Sequence, residues 1–367
     1  MTASSADLWS DIAGLAQDLR TEWLNARTRL AETGDAIREQ VTSFTNGLLF
    51  HPDTDPEAGG DMSVRLAGRP VEVSRRELAT AYPSATASLV VFVHGLADTE
   101  WAWFHRDLLH RNVAYRELPG TDFGSRLVHD LGCSAVYVRY NSGRHVSDNG
   151  ADLVRLLSDL VRNWPTPVRE IVLVGHSLGG LVVRSAVYQA QSAKLTWRRR
   201  VTGVVCLGTP HAGAPMERAA AWTATMLGKL SVTAPLSRLL DLRSGAIKDL
   251  AHGYLHEYQW STQPDGLTAK DRAQLMRFPK KLPQLFVYAT VSRSVDSRWG
   301  RVVGDLLVGA ASAGTPDGHA DLRWIGGLNH VDLLHHDSVY DAILSWLRAR
   351  RCLIGQLSRG EAGHAVK

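Results

Sequence analysis

Two hydrophobic periodicities divide the chain. Over the first fifty residues apolar side chains recur every three or four positions (Leu8, Ile12, Leu15, Leu19, Trp23), the spacing of one face of an α-helix. Gly34-Asp35 reads as a stop followed by a new N-cap, and the stripe resumes with Ile37, Val41, Phe44 and Leu48, so two helices are predicted. Residues 51–62 are rich in Pro, Gly and Asp and read as a linker. Beyond them the apolar runs become short. Residues 64–67 and 71–74 flank Gly68-Arg69 as a hairpin would. Further strands are predicted at 88–93, 135–140, 171–174, 201–207, 285–291 and 322–325. Helical patterns lie between or beside them at 99–112, 120–131, 147–164 and 331–350. In 147–164, Leu153, Leu156, Leu157, Leu160 and Val161 share one face. Strands that are apolar throughout, alternating with helices, predict the α/β class: a mostly parallel central sheet covered by helices on both faces.

The alternation fails once, between the strand ending near Leu207 and the one beginning near Leu285. A compact domain rarely carries so long a structureless loop, so a helical insertion is expected. The predicted organisation is an N-terminal helical segment and linker over 1–60, a core from 61–210 and 284–350, a cap or lid over 211–283, and a flexible tail over 351–367. Trp222, Met226, Leu227 and Leu230 suit either an apolar substrate-binding cap or the ordinary core of one. The N-terminal helices suit packing on the core, dimerisation or peripheral contact with a membrane face.

Composition adds mostly exclusions. Hydrophobic residues make up 44% and charged residues 21%, as in an ordinary globular protein. A net charge of +4 over 367 residues, with its bases scattered, does not predict nucleic-acid binding. The densest basic run, Arg198-Arg199-Arg200, reads as a solvated loop. Three widely spaced cysteines, Cys133, Cys206 and Cys352, make neither a disulfide framework nor a metal set, and reduced thiols are expected. No secretory leader or bilayer-spanning run is read, which predicts a cytoplasmic protein. Neither a Gly-x-Gly-x-x-Gly elbow nor a P-loop occurs, so no nucleotide cofactor is expected.

The chemistry centres on Gly175-His176-Ser177-Leu178-Gly179-Gly180, which directly follows a predicted apolar strand and opens a predicted helix. A serine on so tight a turn is presented as a nucleophile, and Gly175 and Gly179 relieve the crowding around it. The helix N-terminus also aims free N–H groups at the charge that develops on attack. A second donor is expected from the loop after an earlier strand. Val93-His94-Gly95-Leu96 supplies one, which assigns the oxyanion hole to the backbone amides of Leu96 and Leu178. His94 is read as a support of that loop rather than a base.

In this arrangement an acid and then a histidine should follow the serine. His330, in Leu328-Asn329-His330 after the last predicted strand, fits the histidine; His335 and His336 fall within a predicted helix. No carboxylate occurs in Thr209-Pro210-His211-Ala212-Gly213, after the sixth strand. After the seventh, Asp305 leads, because its apolar neighbours Leu306, Leu307 and Val308 would bury it, with Asp296 second and Asp317 and Asp321 behind.

Taken together, residues 93–96, 175–180, Leu207-Gly208-Thr209-Pro210-His211-Ala212-Gly213, 304–308 and 328–332 resemble the bacterial esterase/lipase branch of the α/β-hydrolase superfamily. That branch includes triacylglycerol lipases and GPI-inositol-deacylase-like enzymes. The resemblance spans roughly residues 85–350 and leaves the N-terminal helices outside. It implies the α/β-hydrolase fold, a Ser177–Asp305–His330 triad, no cofactor, and a small-molecule or lipid ester as substrate. A thioesterase, acyltransferase or polyester depolymerase would use the same triad, and a non-catalytic interaction protein on a hydrolase scaffold is the alternative of another class. Some of these lipases bind structural calcium through an Asp two places after the histidine, here Asp332; a capping Asp is the other reading, and no metal is assigned.

Overall fold

The computed structural model describes residues 61–104, 122–211, 213, 245–257, 278–279, 281–290 and 320–350. The N-terminal helices and linker, the tail with Cys352, most of the insertion, and Asp296, Asp305 and Asp317 lie outside the described residues.

The described strands are β1 (Ser63–Leu66), β2 (Arg69–Val71), β3 (Ser88–Val93), β4 (Ser134–Arg139), β5 (Glu170–His176), β6 (Val201–Leu207), β7 (Gln284–Thr290) and β8 (Asp321–Gly326). The helices are α1 (Arg75–Ala81), α2 (Phe123–Leu131), α3 (Val146–Asn163), α4 (Leu178–Ser192), α5 (Gly245–His252) and α6 (Asp337–Ala349). All eight strands form one sheet in the order β2-β1-β4-β3-β5-β6-β7-β8. From β4 to β8 every pairing is parallel, whereas β1 runs antiparallel to both β2 and β4. This is the sheet of the α/β-hydrolase fold expected from the sequence.

Successive residues of a strand face opposite sides, and the core divides accordingly. Leu89, Val91, Leu173, Val204 and Phe286 join the inner faces of α3 and α4 on one side. Val90, Phe92, Val174, Val205 and Leu285 join α2 and α6 on the other. Each fully buried Leu or Val side chain contributes roughly 1.5–3 kcal/mol, so two apolar layers on one sheet stabilise it from both sides. From the insertion interval, α5 places Ala246 and Leu250 in the α3/α4 layer. The free thiols Cys133 and Cys206 are both buried.

Local differences from the expected elements have physical causes. The hairpin turns at Ala67-Gly68, one residue early, with Leu66 facing Arg69 and positive φ at both turn residues (51° and 78°), as a two-residue hairpin loop requires. α1 was not expected, although Ser74 caps it by accepting the amide of Glu77. The helix expected over 99–112 is, where described, a 3-10 turn at Glu100–Trp103 that gives way to extended backbone at Phe104. Residues 332–334 form a separate 3-10 turn, so His335 and His336 precede α6 instead of lying within it; His336 caps α6 by accepting the amide of Ser338.

The sheet reverses its winding at β3, whose neighbours are β4 and β5. In open α/β sheets the crevice at such a reversal, beyond the carboxyl ends of the strands, is where ligands bind. The loops leaving β3 and β5 there carry Gly95-Leu96 and Ser177.

Candidate active site

β5 ends at His176 and α4 begins at Leu178, which leaves a single residue, Ser177, to make the corner. It does so at φ 52° and ψ −122°, a left-sided conformation that a side chain rarely adopts outside functional turns. The corner is held from both sides. The Ser177 amide donates to the carbonyl of Leu207 at 2.8 Å, and its carbonyl accepts the amide of Gly180 at 3.1 Å. The flanking glycines are required by space. A Cβ on Gly175 would stand 2.6 Å from backbone atoms of Gly179 and Gly180, and one on Gly179 would overlap the carbonyl oxygens of Val93 and His94. Ser177 is buried, and its Oγ makes no hydrogen bond among the described residues. In ligand-free sites catalytic hydrogen bonds are often open and tighten only around substrate.

His330 reaches the same place from the far edge of the sheet. After β8 the chain turns at Gly327 (φ 79°), and the amides of Gly327 and Leu328 donate to the carbonyl of Thr290 at the end of β7. Asn329 and Asp332 then lock the turn. Asn329 Oδ1 accepts the amides of Val331 and Asp332, and the Asp332 carboxylate accepts the amide of Asn329 at 2.8 Å. Asp332 thus closes the His330 loop; among the described residues no group of three or more His, Cys, Asp or Glu is placed to hold a metal ion. The His330 imidazole is buried, 4.7 Å centroid to centroid from the ring of His176, the residue beside Ser177. Gly208 (φ 59°) makes room for it, since a Cβ there would stand 2.7 Å from the imidazole Cε1.

The loop after β3 completes the corner. A Cβ on Gly95 would lie 3.3 Å from the Cβ of Ser177, so this backbone passes directly beside Ser177, with Leu96 buried next to it. His94 anchors the loop. Its Nδ1–H donates to the carbonyl of Gly95 at 2.9 Å, and its Nε2 accepts the amide of Tyr140 at 3.3 Å. Burial drives its pKa down to about 3, so the ring is neutral, a support and not a base. The Ala97 amide donates to Ser142 Oγ at 2.9 Å. Further along, Arg139 grips the buried Glu100 through two hydrogen bonds, one from Nε at 2.5 Å.

Of the sequence-predicted residues, the structure therefore gathers Ser177, His330, Gly175, Gly179 and the Gly95-Leu96 backbone around one corner, with Leu178 as the first residue of α4. Asp321 does not join them. It sits at the opposite, N-terminal end of β8, accepting hydrogen bonds from Trp346 Nε1 and Arg350. Tyr140 and Ser142 were missed, although they follow β4, the neighbour of β3, on the edge of the sheet where site loops collect. Arg184 and His211 were missed as well. Buried Arg184 donates to His211 Nδ1 at 2.8 Å, and burial followed by the nearby guanidinium holds His211 well below its usual pKa.

Residues 139–276 match the family model described as a PGAP1-like alpha/beta domain. Among solved structures, the mature lipase BlEst2 of Bacillus licheniformis shares 21% identity at a TM-score of 0.46, covering 77% of this chain and 97% of its own. The Pyrococcus furiosus esterase Pf2001 shares 12% at 0.42, covering 72% and 82%. An esterase from the bacterial hormone-sensitive lipase family shares 15% at 0.41, covering 96% and 100%. At these TM-scores none of them decides the fold, which rests on the strand order and the elbow. None of the curated proteins matches the chain.

Proposed function

We propose that the chain is a serine carboxylic-ester hydrolase, an esterase or lipase acting on a small-molecule or lipid ester through an acyl-enzyme. The observation that carries this reading is Ser177 strained at φ 52° on a strand-to-helix corner, with the His330 imidazole packed against the adjacent His176. A corner of that kind costs folding energy of order 1–3 kcal/mol and persists where the side chain it presents has a use.

In this mechanism Ser177 Oγ bonds to the ester carbonyl carbon while its proton passes to Nε2 of His330. The former carbonyl oxygen takes the negative charge and is held by the amides of Leu96 and Leu178. Collapse of the intermediate breaks the bond to the alkoxy group, which leaves as the alcohol with the proton from His330. Water then loses a proton to His330 and attacks the acyl carbon; the bond to Ser177 Oγ breaks as His330 returns the proton to that oxygen, releasing the carboxylic acid and restoring both residues. Asp305 is the carboxylate assigned to His330 Nδ1–H, fixing the tautomer and stabilising the transient imidazolium.

The test is hydrolysis of p-nitrophenyl esters from acetate to palmitate by the wild type and by Ser177→Ala, with a fluorophosphonate label on both. The expected result is turnover and labelling by the wild type, and a loss on the order of a thousandfold or more in the variant. Absence of both turnover and label in the wild type would overturn the reading.

A further inference from the structure

His176 stands next to the nucleophile in sequence and touches the base in space, yet the mechanism above gives it no role. Its Nε2 lies 3.2 Å from the backbone carbonyl oxygen of His330. A carbonyl only accepts, so Nε2 carries the proton and donates it, which fixes the tautomer. Nδ1 is then a bare acceptor; it is buried and makes no hydrogen bond among the described residues. The side chain is 1% exposed, its ring lies 4.7 Å from that of His330 at 44°, and Trp103 meets it edge-on at 6.4 Å. Burial first, and then the rings of His330, His335 and His94 around it, hold its pKa well below the ordinary histidine range. The donor is therefore permanent, and no proton comes or goes at this ring over the working range of a hydrolase.

We infer that His176 is a positioning residue that ties the nucleophile corner to the backbone of His330, so that the serine and its base keep one spacing. The two arrive from loops after β5 and β8, three strands apart in the sheet, with β6 and β7 between them. A residue that is one peptide bond from Ser177 and one hydrogen bond from His330 spans that separation directly. A bulky apolar side chain would fill the same volume without the donor. The His330 carbonyl would lose that hydrogen bond, and its loop would be free to drift. A drift of about 1 Å between reacting groups is enough to cost on the order of a hundredfold in rate. This inference rests on the hydrolase reading for its kinetic consequences, but its geometry stands without it.

The experiment compares wild type, His176→Leu and His176→Gln, the last of which restores an N–H at similar reach. Ester hydrolysis is followed together with thermal unfolding and imidazole ¹⁵N resonances. His176→Leu should lose roughly ten- to a hundredfold in kcat with KM nearly unchanged. His176→Gln should recover most of that loss. The wild-type spectrum should show His176 as the Nε2–H tautomer without titration, and the His330 resonances should shift or broaden in His176→Leu alone. The inference is overturned if His176 is the Nδ1–H tautomer, if Leu and Gln are equally impaired, or if Leu leaves both rate and His330 resonances unchanged. Should the wild type prove inactive, the hydrolase reading falls while the ¹⁵N spectra alone still decide the tether. Should His176→Leu fail to fold, the tautomer in the wild type and the kcat of His176→Gln decide it.

Discussion

Tyr140 is bound to His94 three times over: its hydroxyl donates to the His94 carbonyl at 2.8 Å, its amide donates to Nε2 at 3.3 Å, and the two rings stack at 4.3 Å. β4 thereby fixes the backbone that passes Ser177. Burial pushes the phenol pKa far above its usual value, so the hydroxyl is a donor at every working pH. Tyr140→Phe keeps the stack but leaves the buried carbonyl unsatisfied. A loss of about 1–3 kcal/mol in unfolding free energy is expected, together with a fall in kcat. Urea unfolding and initial rates on the same preparation check it, and a variant with wild-type kcat would detach this loop from catalysis.

Acid stability follows from the neutral histidines. His94 has a folded pKa of about 3 against an unfolded value near 6.5, and burial likewise depresses His176 and His211. A depressed base gives the unfolded chain the greater proton affinity. Its contribution to stability is complete above about pH 6.5 and is lost as pH falls toward the folded pKa. Each such histidine steepens the decline by up to about 1.4 kcal/mol per pH unit. Buried Asp249, whose carboxyl is raised, acts with the opposite sign in the carboxylate range. The slope of unfolding free energy between about pH 6 and 5 should therefore be shallower in His94→Gln than in wild type by about one proton. Equal slopes would show that His94 is not held neutral.

The elbow glycines set a sharper limit. A Cβ on Gly179 meets backbone oxygens of Val93 and His94, and neither strand β3 nor α4 can withdraw without breaking its own packing. Gly179→Ala should cost more than about 4 kcal/mol, the range reserved for changes the core cannot absorb. Circular dichroism and thermal unfolding of the purified variant test this; a melting temperature within a few degrees of wild type would mean that the strand and helix ends yield more readily than the packing indicates.

What the sequence made legible is what local pattern alone can encode. Runs such as 88–93 and 201–207 are almost wholly apolar, Ser88 and Thr202 apart, because a parallel strand is buried on both faces, and both coincide with their structural limits. The strand-to-helix corner at Ser177 was legible because such a corner needs glycines at fixed offsets, and the His330 loop because it follows the last strand. The supports were not, because they exist only through pairing. Tyr140 and Ser142 matter since β4 lies beside β3, and nothing near residue 140 signals it. The Trp101, Trp103 and Phe104 cluster imitated a helix face, but Trp103 and Phe104 pack on Phe92 and Tyr137 of the sheet. For α1 the signal was present and unread: Ser74 and Glu77 have the spacing of a capping box.

A carboxylate is the remaining member of the proposed triad. The amides of Gly327 and Leu328 hold the end of β7 at Thr290 against the start of the His330 loop, so the chain that leaves β7 begins beside the histidine. Residues 291–319 carry Asp296, Asp305 and Asp317, whereas Asp321 is engaged by Arg350 and Trp346 at the far end of β8. A buried carboxylate orients an imidazole better than a solvated one, which favours Asp305 with its Leu306-Leu307-Val308 flank. Asp305→Asn offers His330 the wrong partner while preserving shape, and should lower kcat by up to about ten-thousandfold. Asp296→Asn should remain near wild type. The reverse outcome would move the role to Asp296, and full rates in both variants would separate His330 from either carboxylate.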